Sequence, residues 1–166
     1  LGKCPFCGFA PVKNLDHYLP KSKFPQLSVV PMNLVPSCSD CNSGKGVVTA
    51  TMEEAQSLHP YFDHDHFINE QWLFAEAIPT IPTTIRFYVR PPDHWDDISK
   101  AKVRNHFQNC DLGSRYKKET TAELASLKNT LSLYEDLGAA SIQRELTIRA
   151  KGSSQLYKNS WQVGMF

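Results

Sequence analysis

The spacing of apolar residues along the chain predicts strands in its middle and helices in its last third. Residues 72–78 and 84–90 are rich in aromatic and β-branched side chains and are separated by a segment with two prolines, which predicts two strands. Apolar positions then recur at helical spacing, with a break at Gly138, and residues 156–166 are expected to form a last helix. The stripes expected to form core are Ile98, Val103, Phe107 and Cys110; Leu112, Tyr116, Leu124, Leu127, Leu131 and Tyr134; and Ile142, Leu146 and Ile148.

The first fifty residues are rich in turn-forming residues and contain only short apolar stretches. One such stretch, residues 10–15, is followed directly by Asp16 and His17. Because neighbouring side chains of a strand point to opposite faces, one of the two can bind a metal while the other faces a substrate. A short helix is expected to begin near Ser39 or Asp40, either of which can cap it, so that Asn42 projects from its first turn.

Residues 59–66, which lie between the first fifty residues and the predicted strands, include polar residues of the kinds that bind metals. Asp63-His64-Asp65-His66 alternates such residues and can be a second metal site, but it has no partner motif, and a polar loop joining two elements is favoured. His59-Pro60 predicts a turn, and Tyr61 and Phe62 are expected to pack as an apolar plug.

Length and composition limit the class of protein. The chain has 166 residues, of which 41% are hydrophobic and 11% aromatic, which excludes low-complexity disorder and suits one domain or a small module with an appended second one. No apolar run is long enough to cross a membrane, and the start is unlike a signal peptide, so a cytoplasmic location is expected. Since the first residue is not Met and Phe166 ends an unfinished helical pattern, we expect a piece of a longer chain.

The net charge of +1 hides a division of the chain into three parts. Residues 1–50 carry a charge of +3, residues 51–99 carry −7, and residues 100–166 carry +5. Each of the two basic segments can bind a polyanion, although basic side chains that are only exposed to solvent produce the same charge pattern.

Four of the five cysteines form two pairs of the form C-x2-C. A C-x2-C pair places two thiolates on one tight turn, and two such turns complete a tetrahedral zinc site with four sulfur ligands. Two disulfides or a redox pair are the alternatives, but there is no secretory signal and no βαβ pattern. The expected zinc ligands are Cys4, Cys7, Cys38 and Cys41, whereas Cys110 is expected to be a small buried hydrophobic residue.

Taken together, these motifs resemble an HNH endonuclease with a zinc-bound ββα-metal fold. The resemblance covers residues 3–47 and rests on the order of its motifs: the two cysteine pairs, Asp16-His17, Asn33, Asn42 and Lys45-Gly46. The run through residues 59–63 is also similar to one bacterial branch of these nucleases. That branch includes the nuclease subunit of Septu-type and retron-linked anti-phage systems, which works beside an ATPase subunit.

The resemblance implies a fold class and a division into parts. The fold class is α+β: a zinc-stapled ββα-metal nuclease module, a short two-stranded region and a mostly helical C-terminal part. The corresponding parts are an HNH module with structural zinc at 1–50, an acidic connector with two short strands at 51–95, and a helical region at 96–166.

The resemblance also assigns roles to four residues. His17 is the expected general base that deprotonates water, a task that suits a side chain titrating near neutral pH. Asp16 and Asn42 are the expected oxygen ligands of Mg²⁺ or another divalent cation. Asn33 is expected to hold the strand or His17 by hydrogen bonding, although an Asx-turn role is the alternative. The family often has His where this chain has Asn42.

The predicted function is therefore a metal-dependent endonuclease that hydrolyses phosphodiester bonds of DNA or RNA, as the effector of a bacterial anti-phage system with a regulatory ATPase subunit and no membrane partner. Lys21, Lys23 and Lys45 can contact phosphates or lie solvated. One alternative is a non-catalytic zinc-finger subunit that binds nucleic acid or protein, and another is an interaction subunit with a vestigial site. The Asp16-His17 pair argues against the first alternative, and the intact set of Asp16, His17 and Asn42 argues against the second.

Overall fold

The computed structural model describes residues 2–45 and 52–166, in which it contains two small antiparallel sheets and six α-helices. The α+β class expected from the sequence is confirmed. The strands are β1 (Asn14–His17), β2 (Leu34–Ser37), β3 (Leu73–Ile78) and β4 (Thr84–Val89). The α-helices are α1 (Ser39–Lys45), α2 (His66–Asn69), α3 (Asp97–Asn109), α4 (Leu112–Ser132), α5 (Ala139–Leu156) and α6 (Trp161–Met165).

The chain forms two compact units, each built from two segments. The first unit is Leu1–Phe67 with Asp93–Leu112, and the second is Ile68–Pro92 with Gly113–Phe166. Helix α3, which the sequence groups with the C-terminal helices, thus belongs to the first unit. The three parts expected from the sequence, 1–50, 51–95 and 96–166, stay a prediction about domains.

The first unit begins with an antiparallel pair of strands that leads directly into a helix. In this pair Asp16 lies opposite Val35, and His17 lies opposite Leu34. Strand β2 ends one residue before Cys38, and α1 starts at Ser39, as expected. The Asn14 side-chain amide donates to the Ser39 hydroxyl oxygen at 3.3 Å, which links β1 to the start of α1. The order β1, β2, α1 thus forms one ββα element.

Helix α3 completes the first unit through buried polar contacts. Its N-cap is Asp96, whose carboxylate accepts a hydrogen bond from the Ser99 backbone N–H at 2.7 Å. Further along the helix, His106 is buried and its Nε2 donates to the Phe6 carbonyl oxygen at 2.7 Å. Burial lowers the pKa of His106 to about 4, so its imidazole is neutral at pH 7. The helix is therefore attached to the first cysteine-containing turn.

The acidic and histidine-rich segment of the first unit has a structural role. Lys102 of α3 is buried and forms an ion pair with Asp63, whose second carboxylate oxygen accepts from the His59 backbone N–H at 2.6 Å. The expected polar loop is only partly correct, because α2 begins at His66.

The expected apolar plug at Tyr61 and Phe62 is wrong. These two side chains are 43% and 61% exposed, and His59 is the buried ring of the segment. The physical reason is that His59 packs between the Tyr18 and Phe62 rings, with centroids 4.1 and 4.6 Å away. This leaves the outer face of Phe62 in solvent.

The second unit is built on the β3–β4 hairpin. Its strands lie within one residue of those expected at each end, and they pair antiparallel with Leu73 opposite Val89. One face of the hairpin is buried, and there the Phe87 ring packs edge-on against Tyr116 of α4 at 5.4 Å. Helix α6 packs on β3, and a Cβ at Gly164 would lie 3.2 Å from the Phe87 ring, so this glycine permits close packing.

The helical stripes are only partly core. The expected core positions Ile98 and Ile148 are 43% and 56% exposed. Helix α5 has no buried residue among those described. Leu156, expected in the last helix, instead ends α5 and is 89% exposed.

Asn159 connects the last turn of the second unit to the start of its hairpin. The side chain is 2% exposed. Its Oδ1 accepts from the backbone N–H groups of Trp72 and Leu73 at 2.9 and 3.1 Å, and its Nδ2 donates to the Glu70 carbonyl oxygen at 2.9 Å. One buried amide thus satisfies three backbone groups.

We predict that Asn159→Ala lowers the free energy of unfolding by about 2–4 kcal/mol, because three buried backbone groups lose their partner. Urea denaturation followed by tryptophan fluorescence measures this change. Asn129→Ala, at an exposed position of α4, is the matched control and should change stability by less than about 0.5 kcal/mol. Equal stability of the two variants would contradict the role of Asn159.

Candidate metal centre and active site

The four cysteines of the two C-x2-C pairs lie together in the first unit. Their Sγ atoms are all within 4.8 Å of one another, and those of Cys7 and Cys38 are 3.9 Å apart. Tetrahedral zinc with bonds of about 2.3 Å requires sulfurs about 3.8 Å apart. All four side chains are buried, and the donor set is the one that zinc prefers in structural sites. The four cysteines can therefore hold a metal ion such as zinc.

Local turns aim each pair of sulfurs at one point. In the first turn the Gly8 backbone N–H donates to the Cys4 carbonyl oxygen at 2.8 Å, and Gly8 has a φ of +74°, which favours glycine. In the second turn the Cys41 backbone N–H points at the Cys38 sulfur at 3.4 Å. An N–H group aimed at sulfur stabilises a thiolate, so the second turn is suited to a bound cation.

The thiols of this cluster need a cation in order to ionise together. The pKa of the Cys4 thiol is raised, mainly by its hydrogen bond with Cys41, and burial raises it further, whereas the pKa of Cys7 is lowered by its hydrogen bonds with Cys4 and Cys41. The pKa of Cys41 is also raised, mainly by a hydrogen bond with Cys110. Cys110 is buried, as expected, and lies beside the cluster without belonging to the set of four. Its closeness to Cys41 was not visible in the sequence.

We predict that Cys38→Ser removes the bound zinc and unfolds the first unit, because residues 2–45 have little core without the metal. Mass spectrometry of the native protein and thermal melting measure the two effects. Cys110→Ser is the matched control, since it changes a buried thiol that is not a ligand, and it should keep one equivalent of zinc. Full zinc content in Cys38→Ser would contradict the assignment of the ligands.

The adjacent Asp16 and His17 lie on β1, as expected, with their side chains in different surroundings. Asp16 is 7% exposed, and His17 is half-buried. The His17 Nε2 lies 2.9 Å from the Ser28 carbonyl oxygen, which only accepts hydrogen bonds, so Nε2 donates. In the neutral imidazole the basic lone pair is then on Nδ1. The Ser28 carbonyl oxygen thus fixes both the ring orientation and the tautomer.

Asn33 holds the loop that contains Ser28. Its buried side chain accepts from the Leu19 backbone N–H at 2.7 Å, and its Nδ2 donates to the carbonyl oxygens of Leu19 and Leu27, both at 3.1 Å. These bonds tie both ends of the loop between β1 and β2. The loop held by Asn33 carries the Ser28 carbonyl group that binds His17, and the positioning role of Asn33 stays a prediction.

The remaining expected residues lie on or near α1. Asn42 is half-buried and directly follows Cys41 in the first turn of α1, which packs against β1. Lys21 and Lys23 are exposed on the loop after β1. The Lys45 side chain and Gly46 lie outside the described residues.

Within residues 2–45 and 52–166, the four cysteines are the only group of three or more His, Cys, Asp or Glu side chains close enough to share a metal. The segment Asp63-His64-Asp65-His66 forms no such group. In the same part of the chain, no helix is both long and apolar enough to cross a bilayer.

Comparisons with known proteins give one informative relative. No family model matches the chain, and no solved structure matches it. Protein ea31 of Escherichia phage lambda is 44% identical over 127 residues, which covers 75% of this chain and 43% of that protein. The chain thus spans less than half the length of this relative.

Proposed function

We propose that this chain is a metal-dependent endonuclease of the HNH type, with a zinc-stapled ββα module that hydrolyses phosphodiester bonds of nucleic acid. The observation that carries the proposal is the hold on His17: a half-buried imidazole on β1 whose Nε2 is bound by the Ser28 carbonyl oxygen at 2.9 Å. The buried His106 makes the same kind of bond, but His17 differs from it in being only half-buried and in directly following the buried carboxylate of Asp16.

The donor set supports a second, catalytic cation. Asp16 is a nearly buried carboxylate on β1, and Asn42 offers an amide oxygen from the adjoining α1. Oxygen donors in small number suit Mg²⁺, which keeps several waters of its own. When bound, such an ion stabilises the negative charge that develops on the phosphate and on the leaving 3′ oxygen.

The residues of the chain then divide the work of hydrolysis. Nδ1 of His17 accepts a proton from water, the water oxygen forms a bond to phosphorus, and the bond from phosphorus to the 3′ oxygen breaks. The Ser28 carbonyl oxygen keeps His17 oriented and stabilises the imidazolium that forms, as hydrogen-bond partners do for other catalytic histidines. Asn33 acts as a positioning residue, because it holds the loop rather than the reacting atoms.

We predict that His17→Ala lowers the cleavage rate by about 10²–10⁴-fold, because the general base is lost. Plasmid, single-stranded DNA and RNA are the substrates, each with and without added Mg²⁺. Zinc content and melting temperature should stay near those of the unchanged protein, since a half-buried imidazole contributes little to the core.

His64→Ala is the matched control for this experiment. His64 is an exposed histidine in the same unit, outside the proposed site, and its loss should leave cleavage unchanged. Unaltered turnover by His17→Ala would remove His17 from the mechanism. If no substrate is cut by the unchanged protein, with the expected partner present, the alternative of a non-catalytic zinc-finger subunit takes its place.

The anti-phage role and the regulatory ATPase subunit stay predictions of the sequence resemblance. The relative is itself a phage protein, which by itself favours no defence role. Exposed apolar side chains support a partner, and they lie in the connection between α4 and α5 and on α5 itself: Leu133, Leu137, Ile148 and Leu156. Co-purification with the product of a neighbouring gene is the measurement for such a subunit.

A further inference from the structure

A cavity of about 550 Å³ lies in the first unit beside the candidate catalytic strand. Its size is within the range of about 300–1,000 Å³ that is usual for small-molecule sites. One wall is apolar and comes from the loop between β1 and β2: Leu19, Leu27, Val30 and Met32. The opposite wall comes from residues 53–63 and from Lys102 of α3.

An exposed aromatic ring lines this cavity. Phe62 is 61% exposed, and its ring lies 4.6 Å from the buried His59 ring, which in turn lies 4.1 Å from Tyr18. The Tyr18 hydroxyl donates to the Ser57 carbonyl oxygen at 2.6 Å, so a hydrogen bond fixes the Tyr18 end of this row of rings. Phe62 is thus held in place with one face open to solvent, which is the arrangement on which nucleobases stack.

The charges of the cavity favour a base over a phosphate. Asp63 is already paired with Lys102, the one lysine among the described residues that line the cavity. Glu53 lies 4.0 Å from the same ammonium group, and its side chain is 64% exposed. The two carboxylates outnumber the single ammonium group, so a phosphate is repelled. An amino group on a base can donate to Glu53, and the half-buried Gln56 amide offers both a donor and an acceptor.

The cavity and the candidate catalytic residue share one loop. Leu27 directly precedes Ser28, and Val30 follows it by two residues. The Ser28 carbonyl oxygen holds His17, while the flanking apolar side chains line the cavity. The cavity and the proposed site of hydrolysis are thus connected through residues 27–30 of one loop.

We propose that this cavity binds one unpaired nucleobase of the substrate strand, stacked on Phe62 and recognised at its edge by Gln56 and Glu53. The proposal rests on the proposed function for its ligand class, nucleic acid. It narrows the substrate to single strands, or to sites where a base leaves the helix, because a paired base has its edge occupied and both faces covered. Bases with an exocyclic amino group are preferred over thymine and uracil, because Glu53 only accepts hydrogen bonds and the single N3–H of those two bases lies between two carbonyl oxygens that repel a carboxylate.

Equilibrium binding without cleavage tests this proposal. The full chain carrying His17→Ala, without added Mg²⁺, is titrated against fluorescent strands of about 12 nucleotides. The strands are oligo(dC), oligo(dT), a strand of abasic sugars and a duplex, with oligo(rC) and oligo(rU) as the ribose series. We expect oligo(dC) or oligo(rC) to bind roughly 5- to 100-fold more tightly than the abasic strand, and more tightly than the thymine or uracil strand of the same sugar.

Variants assign the effect to the cavity. Phe62→Ala should reduce the affinity for the cytosine strand to that for the abasic strand, and Glu53→Gln should remove the preference for cytosine. Tyr61→Ala is the matched control, because Tyr61 is a neighbouring, partly exposed ring that does not line the cavity. It should leave both affinities unchanged, and melting curves verify that each variant is folded.

Three results would overturn the proposal: equal binding of base-bearing and abasic strands, duplex binding that is tightest and independent of Phe62, or equal losses in the Phe62 and Tyr61 variants. The nuclease proposal fails separately. If binding depends on the base but the protein with His17 intact cuts no substrate in the presence of Mg²⁺, the cavity proposal stands and the nuclease proposal is rejected. If the protein cuts its substrate but binding does not depend on the base, only the cavity proposal is rejected.

Discussion

The cluster of four thiols is the constraint on which the first unit depends. It brings Cys4 and Cys7 to Cys38 and Cys41, and so closes a loop that contains β1, the clamped loop after it and β2. Closing a loop of this length costs chain entropy that so short a module cannot recover from apolar burial alone. A metal held by the four cysteines would supply that free energy and would fix the segment that carries Asp16, His17 and Asn33.

Buried polar contacts provide the next level of order. The ring N–H groups of His17 and His106 donate to backbone carbonyl oxygens. Asn33 and Asn159 each form hydrogen bonds with three backbone groups. A buried polar group is costly without a partner, so each of these contacts selects one arrangement of the chain over its alternatives. The proposed site benefits from this, because a catalytic imidazole needs a fixed tautomer.

The proposed nuclease site and the cavity divide recognition between charge and shape. In the proposed nuclease site, His17 and Asp16 act on a phosphate and a cation. The cavity instead has an excess of carboxylates and an exposed Phe62 ring. Phosphate contacts carry no sequence information, but contacts to a base do. A single loop joins the two, so a substrate can be selected and positioned by the same few residues.

Local patterns in the sequence determined the short elements and the four cysteines that can hold a metal ion such as zinc. The C-x2-C spacing, the adjacent Asp16 and His17, the start of α1 and the β3–β4 hairpin all depend on windows of a few residues, where turn chemistry and side-chain period act directly. The tertiary structure alone decided that α3 joins the first unit, that Cys110 lies beside Cys41, that Ser28 holds His17 and that Phe62 borders a cavity. Those contacts join residues far apart in the chain, and no local preference of the backbone specifies which distant surface an element will bury.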